Sequence, residues 1–257
     1  MGGGRPRPPM PPNMRHAAIR EVLQMPRQEE SYEAVEYTRV RKTIAQHTLS
    51  SAREVPQFHI RTLVDMAPLT TLRGRLKQAG GERVPSYNDL MMKAAALALR
   101  EHRRFCAWVY DDEIRILDHI NIGFAVGTDQ GVLMPTVREV DRKSLGELAA
   151  ETAELIELAR VGKLRASLQM GAGFSISNLG PVGIDAFAPI ISPPQAGILG
   201  VGSIKPQPMV ADGQVVARPA TYLTLVMDHR ANDGADGAAF LANLAAIFAT
   251  PERLSES

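Results

Sequence analysis

The chain carries a run of apolar and β-branched residues, Tyr222-Leu223-Thr224-Leu225-Val226-Met227, that leads straight into Asp228-His229-Arg230-Ala231-Asn232-Asp233-Gly234. A small-residue stretch, Gly237-Ala238-Ala239-Phe240-Leu241-Ala242, follows. This order reads as a strand, a charged turn pivoting on glycine, and a packed helix. An imidazole fixed at the end of a strand suits a general base, because the base needs rigid geometry and titration near neutrality. Two plainer readings stand beside it. His229 is also placed to be a surface or hydrogen-bonded structural residue. His229 and Asp233, four apart, have the spacing of two metal ligands on one helical face. No third ligand joins them, since Glu82, His102, Cys106 and His119 lie scattered without ligand spacing.

The rest of the body alternates helix and strand signals. Pro68 to Leu76 has helical spacing and stops at Gly80-Gly81. Tyr87 to Arg100, rich in Ala, Leu and Met, reads as a buried helix. Ile120, Ile122, Phe124 and Val126 alternate with other residues and predict one strand. Ser144 and Glu147 have the spacing of a capping box, opening a helix that turns Leu148, Leu155, Ile156 and Leu158 inward. Ile198 to Val201 and Tyr222 to Met227 read as further strands, and a helix runs from about Gly234 to a stop before Pro251. The pattern is α/β, with helices packed on a mixed sheet.

Residues 1–32 differ. Met1 to Gln28 holds six prolines and five arginines with little to bury, so 1–32 reads as a disordered Pro/Arg-rich arm and 33–257 as the folded domain. A basic arm that grips a partner is the other reading of the first segment. A formal net charge of +1 argues against a nucleic-acid binder. The single cysteine excludes an internal disulfide framework and fits a reducing, cytoplasmic setting. No apolar run reaches the roughly 20 residues of a membrane span, and the N-terminus shows no signal-peptide core. There is no Gly-x-Ser-x-Gly elbow and no phosphate-binding loop. Gly197, Gly200 and Gly202 miss the dinucleotide spacing and read as close-packing glycines in a strand.

Four segments in register carry a resemblance. Asp228 to Gly234 resembles the D-H-R-x-x-D-G motif of the 2-oxoacid dehydrogenase acyltransferases, the dihydrolipoamide acyltransferase (E2) cores related to chloramphenicol acetyltransferase. Gly173-Phe174-Ser175-Ile176-Ser177-Asn178-Leu179-Gly180 resembles the family's F-T-I-S-N-L-G, and Ile190 to Gly202 its I-I-N-P-P-Q-x-x-I-L-G-x-G. Arg41 to Ala45 through Val55-Pro56-Gln57-Phe58 resembles the start of the catalytic domain. The likeness runs in order from about Tyr37 to Leu254.

The resemblance implies a two-layer CoA-dependent acyltransferase fold of the chloramphenicol acetyltransferase type. It implies an E2-type enzyme that moves an acyl group between a dihydrolipoyl carrier and coenzyme A. It assigns His229 as general base, Ser177 as the hydroxyl that stabilises the oxyanion, and Asp233 as the second motif residue, which polarises or positions the site or holds the loop through a buried ion pair, with Arg41 as one candidate partner. On the residues alone, Ser177 reads equally as a strand serine facing solvent or bonded to backbone. Partners implied are a homotrimer with His229 and Ser177 on different subunits, a lipoyl domain, and the E1 and E3 dehydrogenase components. Coenzyme A enters as substrate, and no metal is expected. The chain lacks an Asp-Lys-Ala lipoylation site, so the lipoyl group comes in trans. A stand-alone CoA acyltransferase and a catalytically idle scaffold core are the alternatives. The acyl group is left open among acetyl, branched-chain and succinyl.

Three departures accompany the likeness. Phe105-Cys106-Ala107-Trp108 stands where the family usually has Asn-Ala/Ser-Ser-Trp, which removes an acyl-pocket or buttressing asparagine. Gln57 replaces a histidine common after the proline. The last residues, Pro251 to Ser257, offer few apolar knobs, so a trimer is expected and a larger assembly of trimers is left open.

Overall fold

A computed structural model describes residues 31–80, 83–129, 131–211 and 213–255. The chain divides into two units, Met1–Glu36 and Tyr37–Ser257. Apart from residues 31 and 32, the expected arm lies outside the described residues.

In the second unit, helix α1 (Arg39–Glu54) starts at Thr38, whose hydroxyl accepts a hydrogen bond from Arg41 N. It ends at Val55, which is extended because Pro56 follows. Strand β1 (Gln57–Asp65) leads to α2 (Ala67–Gln78), where Pro68 sits in the first turn and the Asp65 carboxylate accepts from Ala67 N. The stop at Gly80 is real, with φ at 73°. Helix α3 (Tyr87–Glu101) opens on a Ser86–Asp89 capping box.

Then come β2 (Ala107–Val109), β3 (Ile114–Ile116), β4 (Ile122–Phe124), β5 (Val126–Thr128), β6 (Gly131–Leu133) and β7 (Thr136–Val137). Helix α4 (Leu145–Arg160) opens on the expected Ser144–Glu147 box. After it follow β8 (Phe174–Asn178), β9 (Gly197–Val201), β10 (Lys205–Ala211), β11 (Gln214–Asp228) and α5 (Gly234–Ala249).

The main sheet has the order β1-β11-β9-β8-β4-β7, with β10 paired to β11. Pairing is antiparallel at β1/β11, β11/β9 and β4/β7, and parallel at β9/β8 and β8/β4. The sheet is mixed, as the sequence predicts. One face packs on the helices through Leu223, Leu225, Leu199, Ile176 and Phe124, against Leu90, Phe240 and Leu244. The opposite face carries Val226, Ile198, Thr224 and the two serines of β8, and segment 185–196 lies across part of it.

The predicted strand through Ile120, Ile122, Phe124 and Val126 is broken. All four side chains are buried, but so is Gly123 between them, so the alternation does not mark an exposed face. After Ala125 N donates to Ile176 O, the chain leaves the main sheet and β5 forms a separate hairpin with β6. Leu148 and Leu155 of α4 are buried as expected, whereas Ile156 and Leu158 are only half-buried. Lys93 is the least expected core residue. Its fully buried ammonium donates to the carbonyls of Asp141 and Lys143, and burial pushes its pKa down, opposed by Asp141. Pro251 and Leu254 are also buried, in a short turn after α5.

The close-packing reading of the β9 glycines holds. A Cβ at Gly200 would meet the Pro189 ring at 2.8 Å and the Phe187 carbonyl at 3.1 Å, and one at Gly202 would overlap the Asp185 carbonyl. Glycine here lets segment 185–189 lie directly on the strand. Gly202→Ala is therefore expected to cost about 1–3 kcal/mol. Gly74→Ala, in an exposed position of α2 with open space around it, should gain up to about 1 kcal/mol. Thermal unfolding checks the pair. A Gly202→Ala midpoint equal to that of the parent protein would contradict the packing described.

Candidate active site

Strand β11 ends at Asp228, a carboxylate only 1% exposed. Its backbone N donates to Ala196 O at 2.9 Å, and its carbonyl accepts from Ala231 N and Asn232 N at 3.0 and 3.1 Å. Its carboxylate accepts from the neighbouring Arg230 four times, from the backbone N at 2.9 Å, from Nε at 3.1 and 3.2 Å, and from Nη2 at 2.7 Å. This hydrogen bonding raises the Arg230 guanidinium above its ordinary pKa. The turn is thus closed on itself by a charge-assisted pair. His229, between the two, is held by its backbone N donating to Pro56 O at 3.0 Å, and its ring stands edge-on to Phe58 with centroids 5.5 Å apart. The imidazole is exposed to solvent.

Asp233 is the N-cap of α5. Its carboxylate accepts from Ala235 N and Asp236 N, and Asp236 returns the bond to Asp233 N. In the chain it caps the helix that follows the turn. The alternative, an ion pair with Arg41, is not formed. Asp233 is an exposed cap, Arg41 lies on the exposed face of α1, and neither has an ion-pair partner among the described residues. The ion pair of this turn is Asp228–Arg230, with the carboxylate buried and the guanidinium exposed. Its sequence signal is opposite charges two apart across a strand end, but the burial of Asp228 depends on segments distant in sequence, among them Ala196.

Ser177 lies on β8, opposite in facing to Phe174 and Ile176, and is half-buried. Its hydroxyl has no hydrogen-bond partner among the described residues. The hydroxyl of Ser175, two residues earlier on the same face, is committed to Gln195 Oε1 at 2.7 Å. Ser177 pairs with Gly200, and Gly200 with Thr224. From Thr224 to His229 is five residues, roughly 17 Å along the strand, and two strand spacings add about 10 Å sideways. The two groups therefore stand about 20 Å apart in one chain, and the fold does not bring them together. Two surface pockets, of about 350 and 270 Å³, are lined by neither residue.

Other residues singled out from the sequence have structural posts. Gln57 donates to Ser51 O and Oγ and accepts from Ile191 N, so it fastens the end of α1 to the segment over the sheet. Phe105 and Cys106 are core residues, and burial pushes the Cys106 thiol up to about 11. That thiol is not a nucleophile near neutral pH. Among the described residues no group of three His, Cys, Asp or Glu side chains is placed to hold a metal.

With this geometry in view, the comparisons with known proteins are specific. The family described as 2-oxoacid dehydrogenases acyltransferase (catalytic domain) matches residues 29–255. The chain is 37% identical to the dihydrolipoyllysine-residue succinyltransferase component of the 2-oxoglutarate dehydrogenase complex of Bartonella vinsonii subsp. berkhoffii, over 88% of this chain and 56% of that protein. It is 36% identical to the dihydrolipoyllysine-residue acetyltransferase component of the pyruvate dehydrogenase complex of Rickettsia bellii, over 88% and 54%. The chain thus spans about half the length of the curated relatives it matches. A crystallographic and enzymatic study of a serine, a histidine and an asparagine in the mechanism of Azotobacter vinelandii dihydrolipoamide acetyltransferase supplies a structure with TM-score 0.83 and 34% identity, covering 96% of this chain and 99% of that one. Chloramphenicol acetyltransferase matches in fold, with TM-score 0.52 at 14% identity over 84% and 99%.

The turn makes a stability prediction independent of any reaction. Asp228→Ala removes the four hydrogen bonds that Arg230 donates to a buried carboxylate and should cost about 2 kcal/mol. His229→Ala, at an exposed side chain, should stay within about 0.5 kcal/mol of the parent. Denaturant melts decide it, and equal losses in the two variants would show that the pair does not anchor the turn.

Proposed function

The chain belongs to the 2-oxoacid dehydrogenase acyltransferase family, and from that premise we propose that it transfers an acyl group between a dihydrolipoyl carrier and coenzyme A, with His229 as general base and Ser177 as oxyanion donor. The observation that carries this reading is a rigidly seated, exposed imidazole together with a strand hydroxyl that has no hydrogen-bond partner among the described residues. The serine, histidine and asparagine of the A. vinelandii enzyme have the same spacing as Ser177, His229 and Asp233 here, which supports these assignments. Asp233 caps α5 and so steadies the turn that carries the base.

A free thiol is mostly protonated at neutral pH, and its thiolate is the nucleophile. His229 takes that proton as the sulfur attacks the thioester carbonyl. The carbonyl oxygen becomes an oxyanion, to which the Ser177 hydroxyl donates, an interaction worth roughly 3 kcal/mol in comparable sites. The intermediate collapses by breaking the old carbon–sulfur bond, and the departing thiolate recovers the proton from His229. The reaction is symmetrical in chemistry, so one base serves both directions.

In this reading the separation of about 20 Å between the two residues in one chain is bridged across a contact between copies, and the copies form a homotrimer with shared sites. Residues 33–257 form the catalytic domain in this reading, and 1–32 a linker-like arm. The lipoyl domain and the E1 and E3 components are its partners, and the cytoplasm its location. No helix among the described residues is long and apolar enough to cross a membrane.

His229→Ala should fold normally and lose several orders of magnitude in kcat with dihydrolipoamide and a panel of acyl-CoAs. More than a tenth of parental activity would remove His229 from the role of base. Ser177→Ala should lower kcat roughly 100-fold to 1,000-fold with KM little changed, as for an interaction made only in the transition state. An effect on KM alone would move Ser177 to substrate binding. Mixing the two inactive variants should restore part of the activity, because a mixed assembly contains contacts with both residues intact.

A further inference from the structure

Between Ile190 and Gly197 the chain crosses the sheet face that lies opposite the helices, and two glutamine side chains fasten it there. At one end Gln57, the first residue of β1, accepts from Ile191 N at 3.3 Å. At the other, Gln195 Oε1 accepts from the Ser175 hydroxyl of β8 at 2.7 Å. Strands β11 and β9 lie between β1 and β8. Ile191 packs on Val226 and Ile198, which belong to those two strands. The crossing is a strap pinned at both ends over a small apolar seat.

The Gln195 pin adjoins both groups of the proposed chemistry. Ser175 precedes Ser177 by two residues on the same face of β8, roughly 7 Å away. Its hydroxyl is fully buried, and Gln195 is its one hydrogen-bond partner among the described residues. On the other side, Ala196 O accepts from Asp228 N at 2.9 Å, which continues the β9–β11 register past Gly197 and Met227. One step further, that register sets Gln195 level with His229. Pro56, whose carbonyl holds His229 N, is next in sequence to Gln57. Both backbone bonds that seat the base turn therefore adjoin the two pins of the strap. β8 itself is paired on both edges, by β9 and by β4. Loss of the Gln195 pin therefore frees the strap and leaves the serine strand in place.

We propose that Gln195 is a positioning residue for the acyl transfer: anchored on the buried Ser175 hydroxyl, it fixes the strap that seats His229. The inference rests on the shared-site reading above. The pin uses the amide oxygen as an acceptor, and a carboxylate accepts from a hydroxyl at least as well. The amide nitrogen has no partner among the described residues, so it takes no part in the pin.

Gln195→Ala is expected to lower kcat about 10-fold to 100-fold, as for a reacting group displaced by roughly 1 Å, with KM for the acyl-CoA little changed. Gln195→Glu keeps the acceptor and should stay within about 2-fold of the parent. Should the orphaned Ser175 hydroxyl prevent Gln195→Ala from folding, Ser175→Ala with Gln195→Leu removes donor and acceptor together and should show the same loss of kcat. Mixing the inactive variants assigns the effect to the base. Gln195→Ala placed in the Ser177→Ala chain, which supplies the base, should cut the regained activity by the same factor. Placed in the His229→Ala chain, which supplies the serine, it should leave that activity unchanged. Full activity in Gln195→Ala, or a loss from the serine-supplying chain as large as from the other, overturns the positioning role. So does a loss in Gln195→Glu as deep as in Gln195→Ala, which would make the amide nitrogen a donor to substrate. These outcomes leave the assignment of His229 and Ser177 standing, whereas parental activity in His229→Ala overturns the reading on which the inference rests.

Discussion

Pairing of β11 on both edges is the constraint from which the rest of the molecule is built. The strand runs 15 residues and binds β1 on one side and β9 on the other over its C-terminal half. In that half its odd-numbered residues Leu223, Leu225 and Met227 enter the helix-packed core, while Thr224 and Val226 lie on the opposite face. A slip of one residue would exchange Leu223 and Leu225 for Thr224 and Val226 in the core. The register is fixed by that penalty, and it determines where the strand stops. Asp228 therefore arrives under Ala196 and beside Pro56, and the turn that presents His229 is closed by backbone bonds to both segments.

The same register keeps the two chemical groups apart. Ser177 reaches the row of Thr224 through Gly200, while His229 lies beyond the strand end. The proposed sharing of the site between copies thus rests on sheet geometry as well as on family membership. A rigid strand can hold a base at its end or a hydroxyl at its middle, but cannot bend the two together. Gly200 and Gly202 belong to this account, because their bare backbones let segment 185–189 settle on the sheet next to Ser177.

Local signals in the sequence carried far. The Ser144–Glu147 box, the stop at Gly80, the α3 helix and the strand–turn–helix around His229 are set by residues within a few positions of each other, and each stands where the sequence places it. What could not be read needed the third dimension. After Phe124 the chain leaves the main sheet and β5 pairs with β6 instead, a change of partner that a period-two pattern does not reveal. The buried carboxylate of Asp228 and the buried Lys93 look like ordinary surface charges in sequence, because the segments that cover them are brought in from elsewhere. Asp233 is an exposed helix cap and forms no ion pair with Arg41. The likeness to known acyltransferases pointed to Ser177, whereas the free state of its hydroxyl required the structure.

The central claim is that His229 of one copy faces Ser177 of another. Chains carrying His229→Cys and chains carrying Ser177→Cys, mixed and treated with a short bis-maleimide linker, test it most directly, since Cys106 is buried and does not compete. The account predicts a cross-linked product joining the two different chains, formed in the mixture and absent from either chain alone. A mixture that assembles fully yet yields no such product would contradict it.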